Sequence, residues 1–292
     1  MKVRKSTLVS IVFVLPSIFI VGIFVYYFIG WTVAVSFTKW YNIAPNWVFA
    51  GLKNYINLFF NDQRFHIDLI NNFIFLPVFV IGTLVIGFFL AVLLNSDIKF
   101  ESVFRTIFLL PMAISLVVSG IIWEWIYNPT NGALAVLFQF FHLQPINWLG
   151  SMTFALPGVI IATIWQYAGF TTSIYLAGLR GIPKEVLEAA KLDGAHGLKL
   201  YWNVIIPMVQ SSTITAVVMM IQIALQIFDI IWVMTQGGPA FATDMPAVYM
   251  YIASFKNGNI AQGAAIAVVI FVLTLIVVIP YLSTFGKINT EE

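Results

Sequence analysis

Long apolar runs separated by short polar clusters set the plan of this chain. No charged residue occurs from Ser6 to Thr38, Leu69 to Ser96, Thr106 to Trp123, Trp125 to Leu179, Leu200 to Phe228 or Asn257 to Gly286. Each run holds at least one segment of about 20 residues, the length that crosses a hydrocarbon core as a helix. The third run continues past Glu124. The fourth is interrupted by Asn128-Pro129-Thr130-Asn131-Gly132 and by Gln144-Pro145-Ile146-Asn147, both turn-forming clusters. The pattern predicts an all-α membrane protein with six spans over residues 9–36, 70–95, 106–127, 155–180, 208–236 and 261–285. They form one transmembrane domain over residues 1–292.

Composition excludes a soluble fold: 61% of the residues are hydrophobic and only 9% are charged, against about 25% charged in soluble domains. Placing the N-terminus inside puts Lys2, Arg4, Lys5, Lys99, Arg105, Arg180, Lys184, Lys191, Lys199 and Lys287 in cytoplasmic segments. It leaves only Lys39, Lys53, Arg64 and Lys256 outside. By the positive-inside rule both termini and the loop 181–207 are expected in the cytoplasm. The first apolar run is too long for the core of a secretory signal, so it reads as an uncleaved span. There is no cysteine. His66, His142 and His196 fall on both sides of the membrane by this topology and form no joint metal site. The net charge of +2 gives no indication of a nucleic-acid partner.

Residues 181–207 form a polar island between two spans. Pro183 suits the first turn of a helix and Gly194 a left-handed stop, with Lys184, Glu188 and Lys191 along one face and Val186, Ala189 and Ala190 giving a small apolar stripe. Glu188, Ala189, Ala190, Gly194, Val204, Ile206 and Pro207 stand in the register Glu-Ala-Ala, three residues, Gly, nine residues, Ile-x-Leu-Pro, with Val for Ile and Ile for Leu. That register resembles the loop carried by the membrane-embedded permeases of binding-protein-dependent ABC importers. In that family it is the coupling helix that sits in a groove of a cytoplasmic ATPase. The resemblance implies ATPase contacts at Glu185, Glu188, Ala189, Ala190, Asp193, Gly194 and Pro207.

Other patterns are similar to the carbohydrate-type members. They include Gly51-Leu52-Lys53-Asn54-Tyr55, the Trp-rich stretch Ile122–Pro129 with Gly132, Tyr175–Leu179 before Ile182-Pro183, and Phe228-Asp229 through Thr235-Gln236-Gly237-Gly238-Pro239. The resemblance covers residues 13–286 and implies the type I ABC importer permease fold. It also implies a second homologous permease, two cytoplasmic ATPase subunits, an extracytoplasmic solute-binding protein and a carbohydrate substrate, in the cytoplasmic membrane of a prokaryote. The binding protein is expected to meet residues 52–60 and 131–148. No Gly-x4-Gly-Lys-Ser/Thr segment is present, since Gly286-Lys287 is followed by Ile288. The chain is therefore expected to be non-catalytic and to carry no cofactor, with ATP and Mg bound by the partner ATPases.

Polar residues within the spans are the candidates for a substrate pathway. Gln222, Gln226 and Asp229 fall at i, i+4 and i+7, with Gln236 one heptad later, and on the fourth span Thr163, Gln166 and Ser173 share one side with Phe170 between them. Sugars are held by planar polar groups and aromatic faces, which singles out Trp165, Gln166, Tyr167, Gln222, Gln226 and Asp229. The same amides and hydroxyls equally serve interhelical hydrogen bonding. An ion-gradient-driven secondary transporter is the alternative, although neither an internal repeat nor a cluster of intramembrane carboxylates is visible.

Overall fold

A computed structural model describes residues 5–96 and 99–288, with side chains described over 13–96 and 99–283. Lys2 and Arg4 and the side chains of Lys5 and Lys287, on which the charge argument draws, lie outside the described residues. In chain order the helices are α1 (Lys5–Val21), α2 (Phe28–Ser36), α3 (Lys53–Phe60), α4 (Gln63–Asn95), α5 (Glu101–Ala113), α6 (Leu116–Ile126), α7 (Ala133–Phe140) and α8 (Ala155–Arg180). They continue with α9 (Lys184–Leu192), α10 (Leu198–Leu200), α11 (Ile206–Met208), α12 (Gln210–Gln226), α13 (Asp229–Met234), α14 (Pro246–Tyr251) and α15 (Ile260–Ile288). A π-helical turn, Gly22–Tyr27, joins α1 to α2, and others follow α10 and α14. The described residues contain one isolated antiparallel bridge, Thr38 with Phe49, and no strand.

Four helical stretches are long and apolar enough to cross a membrane: Phe13–Ser36, Gln63–Asn95, Ala155–Arg180 and Ile260–Ser283. Two more candidate spans are bent pairs, α5 with α6 at 101° and the 198–208 stretch with α12 at 69°. The third and fifth expected spans therefore depart from single continuous helices. Ile114 and Ser115 are extended, with ψ near 140°, between α5 and α6. In the expected 208–236 span, α12 ends at Gln226, Ile227 is extended, and α13 is a separate short helix. At the other end of the fifth span, Pro207 lacks the N–H that a regular helix needs, and a π-helical turn, Tyr201–Ile205, precedes it. The α4 helix begins several residues before the expected start at 70, because the polar residues of its first turns have partners within the protein.

The chain divides into two compact units, Met1–Asp62 with Tyr249–Val272, and Gln63–Val248 with Leu273–Glu292. In the first, the loop after α2 is held to the start of α15 and the residues just before it by backbone bonds from Asn42 N to Gly258 O (2.7 Å) and from Ala261 N to Trp40 O (3.0 Å). Tyr249 and Gln262 both donate to Asp62 Oδ2, at 2.5 and 2.8 Å.

The second unit is built on the α4–α8 pair, its most extensive helix contact. The two backbones approach so closely that a Cβ added at Gly87 would lie 2.1 Å from Thr171 Oγ1, and Thr171 donates to Thr83 O at 2.8 Å. Across α8, a Cβ at Gly169 would meet Phe108 O of α5 at 2.8 Å. Where lipid tails are as apolar as the side chains, small residues of this kind let dispersion contacts hold helices together.

Two of the helix breaks, at 114–115 and after Gln226, have a freed carbonyl capped by an amide side chain from a neighbouring helix. Gln166 Nε2 of α8 donates to Ile114 O (2.9 Å), while its Oε1 accepts from Ser119 Oγ of α6. Asn72 Nδ2 of α4 donates to Ala224 O (3.0 Å) in the last turn of α12. A bare carbonyl in hydrocarbon costs several kcal/mol, so these amides are what allow the backbone to unwind there. Replacing Gln166 by leucine is expected to lower the stability of the assembled protein by about 1–3 kcal/mol. The readout is thermal melting in detergent, with substrate preference unchanged.

Candidate functional site

Two places in the second unit collect the residues singled out from the sequence. The first is the polar island. Pro183 stands as N-cap in extended conformation, so α9 starts at Lys184. It stops where Asp193 N and Gly194 N bond back to Ala189 O and Lys191 O at 3.0 and 3.1 Å, and Gly194 takes φ +82° with open space around it. That left-handed conformation is what glycine permits. None of the residues of α9 is buried. Glu185, Glu188, Ala189, Asp193, Gly194 and Pro207 are exposed, and Ala190 is half-buried.

The foot of this helix is seated by a residue that the sequence reading passed over. Leu187, with Ile182, Leu200 and Tyr201, packs against a cluster of Ala91 and Leu94 from α4, Tyr175, Leu176 and Leu179 from α8, and Ile205 and Val209. Of the small apolar stripe, Val186 is 39% exposed, Ala189 is exposed and Ala190 is half-buried. The sequence signal for Leu187 is weak, because α9 carries Val186, Leu187 and Leu192 alike and only Leu187 of the three packs against the cluster. Beside the cluster, Arg180 at the end of α8 meets Glu101 at the start of α5 at 2.5 Å; both side chains are well exposed. Such a pair contributes little to stability.

The second place is the break between α12 and α13. Gln222, Gln226 and Asp229 are exposed on the protein surface. Tyr167 of α8 packs edge-on against Phe79 and lies within electrostatic reach of Asp229. Gln236 does not continue the row, since the helix has ended and Gln236 sits at φ +51° in the following turn. The other stripe dissolves as well. Thr163 and Ser173 donate to carbonyls of their own helix, at 2.7 and 3.1 Å, and Gln166 is buried in the capping role described above. In an apolar surround a hydroxyl finds its acceptor one turn back. Trp165 stacks edge-on with Trp123 and borders an apolar groove of about 420 Å³ lined by Ile86, Leu90, Phe108 and Ile164. That groove has too few polar groups to hold a sugar. Of the six pathway candidates, Tyr167, Gln222, Gln226 and Asp229 remain at or near the break.

Behind the break, α4 grips the loop that follows α13. Asn71 Nδ2 donates to Phe241 O (2.8 Å) and Asp244 O (3.0 Å). Arg64 Nε lies 2.6 Å from Asp244 Oδ2, and its guanidinium sits 4.7 Å from the Phe241 ring centroid. Asp244 is fully buried, and Asp68 is buried beside it. Burial pushes the Asp244 carboxyl above the usual carboxylate range, while Arg64, Asp68 and the Met245 N–H pull it back.

Residues 83–285 match the model of the binding-protein-dependent transport system inner membrane component family. The chain belongs to this family. It is a permease subunit of an ABC transporter and a multi-pass membrane protein, and it is non-catalytic. It is similar to a probable ABC transporter permease of Pyrococcus horikoshii, 42% identical over 274 residues that cover 93% of this chain and 94% of the other. It is also similar to a xylose/arabinose import permease of Haloferax volcanii, 36% identical over 96% of this chain and 87% of that one. A third relative is a trehalose/maltose permease of Thermococcus litoralis, 30% identical over 97% and 95%. The permease shares its fold with a solved bacterial alginate ABC transporter held in complex with an alginate pentasaccharide-bound periplasmic protein. There the TM-score is 0.83 at 19% identity, over 96% of this chain and 95% of that one. These relationships give no support to an ion-gradient-driven carrier.

Proposed function

We propose that this permease forms half of the transmembrane pathway of a type I ABC importer for a sugar, oligosaccharide or related polyol. It resides in the cytoplasmic membrane of a prokaryote with both termini inside. A second homologous permease, two cytoplasmic ATPase subunits that bind ATP and Mg, and an extracytoplasmic solute-binding protein complete the assembly. The substrate class follows from the sugars named for its relatives.

The observation that carries the reading is α9 itself, a helix with no buried residue whose foot, through Leu187, rests on the cluster joining α4 and α8. A helix exposed on top and keyed in below transmits force. ATP binding closes the ATPases, α9 moves with them, the spans rearrange to receive substrate from outside, and hydrolysis resets the cycle. Purified alone and reconstituted, the permease transports nothing. Transport appears only with the second permease, the ATPases and the binding protein, and uptake by the single chain in vesicles would overturn the proposal.

Gln222 and Gln226 form the wall of the pathway near Asp229 and Tyr167. Their exposed amides within a span require water or protein as a neighbour, because lipid offers no hydrogen bonds. Gln222→Leu and Gln226→Leu are expected to assemble normally and to lose sugar transport by about tenfold each, the equivalent of one good hydrogen bond. Uptake of labelled sugar by reconstituted vesicles reads this directly; reduced assembly with intact transport per complex would assign both residues to helix packing.

A further inference from the structure

The α3 helix has three faces. Asn54, Tyr55 and Leu58 turn inward: Asn54 Nδ2 donates to Ser36 O and Thr38 O at 2.8 and 2.9 Å, the Tyr55 and Ser36 hydroxyls are 2.6 Å apart, and Leu58 is fully buried. Lys53 and Asn57 form an exposed polar flank. The third face is a row at i, i+4 and i+8 that starts at the N-cap, where Leu52, Ile56 and Phe60 are 61%, 52% and 77% exposed. The anchoring bonds reach Ser36, the last residue of the Phe13–Ser36 span, so α3 is fixed at the depth where that span leaves the hydrocarbon. At the same end Trp31, Trp40 and Trp47 cluster with centroids 5.5–6.3 Å apart, and indoles concentrate at the membrane interface.

We infer that α3 is an interfacial membrane anchor that lays Leu52, Ile56 and Phe60 into the outer phospholipid leaflet, with Lys39 and Lys53 at the level of the headgroup phosphates. The argument turns on duration. An apolar row of this size left in water is a liability, and a solute-binding protein that comes and goes covers it only part of the time, whereas lipid covers it throughout. Surfaces of transient partners are also about as polar as the rest of a protein. The exposed lysines complement phosphate charge. The inference rests on the membrane-spanning character of Phe13–Ser36 and, for the choice of leaflet, on the proposed orientation with both termini inside; it is independent of the transported solute.

The absence of native cysteine makes the test direct. Ile56→Cys, Asn57→Cys and Phe60→Cys are nitroxide-labelled in the assembled transporter, reconstituted in phospholipid vesicles, and their relaxation is measured with oxygen and with a neutral nickel chelate. Labels at 56 and 60 are expected to favour oxygen over nickel, at about 5–10 Å below the phosphate level, with the label at 57 favouring nickel. Nickel access at 56 and 60 equal to that at 57 would overturn the inference. So would immobilisation of both labels on adding the solute-binding protein, which would make the row a protein-docking surface. Because accessibility is read without transport, failure here is separable from failure of the proposed function.

Discussion

Replacing Glu188 by lysine leaves the permease inserted and assembled but cuts substrate-stimulated ATP hydrolysis at least roughly tenfold. The substitution falls on the exposed face of a helix with no buried residue, where changes normally alter stability by less than about 0.5 kcal/mol. Any large effect must therefore arise at a partner. Losing one side of a desolvated interfacial charge pair costs about 2–5 kcal/mol, and each 1.4 kcal/mol is about a factor of ten. The measurement is ATPase activity of the reconstituted complex with and without loaded binding protein. Unchanged stimulation would remove Glu188 from the proposed ATPase contact.

Arg64→Met produces the largest loss of stability. It leaves the buried Asp244 without its cation, and removal of one member of a buried ion pair costs about 3–5 kcal/mol. Adding Asp244→Asn to Arg64→Met should recover part of the loss. The pH dependence has a definite sign. Burial holds the folded Asp244 above the ordinary value of 3.8, so the native state binds this proton more tightly than the unfolded chain. Its contribution to stability is complete below the unfolded value and declines as pH rises through the folded one. Removing Arg64 takes away the main causes that lower the folded value. The penalty in Arg64→Met therefore grows as pH rises through the folded value of the parent, and the difference in melting temperature from the parent should widen from acid toward higher pH. A difference constant from acid to neutral pH would overturn this, since Asp244 would then share one protonation state in both proteins throughout.

What the sequence made legible were features governed by local rules. Apolar runs located the helices long and apolar enough to cross a membrane, and Pro183 and Gly194 bounded α9 because both act through their own backbone angles. Helix periodicity then failed where a distant side chain decides the backbone. The breaks at 114–115 and 227–228 exist because Gln166 and Asn72, each far away in sequence, supply the missing donors. A periodic reading instead extended the fifth span through to 236 and carried the polar row onto Gln236. The α4 helix also runs ahead of the span expected at 70–95, since Arg64 and Asp68 find partners within the protein that the sequence does not show. Leu187 is not distinguished in the sequence from Val186 and Leu192 of the same helix, because which of the three is seated depends on what stands beneath it.

The seam between Gly87 and Thr171 has room for no further methyl group, and Gly169 fits equally closely against the backbone of α5. Helices locked in that way cannot slide or roll separately, so α4 and α8 must swing together as one lever. Flexing is left to the joints at 114–115, at Val209 and at 227–228, two of which are lined by side-chain amides that can follow the backbone as it bends. The aperture of such a machine is set by how far its joints turn, and stiffening a joint would slow the stroke while leaving the choice of cargo untouched.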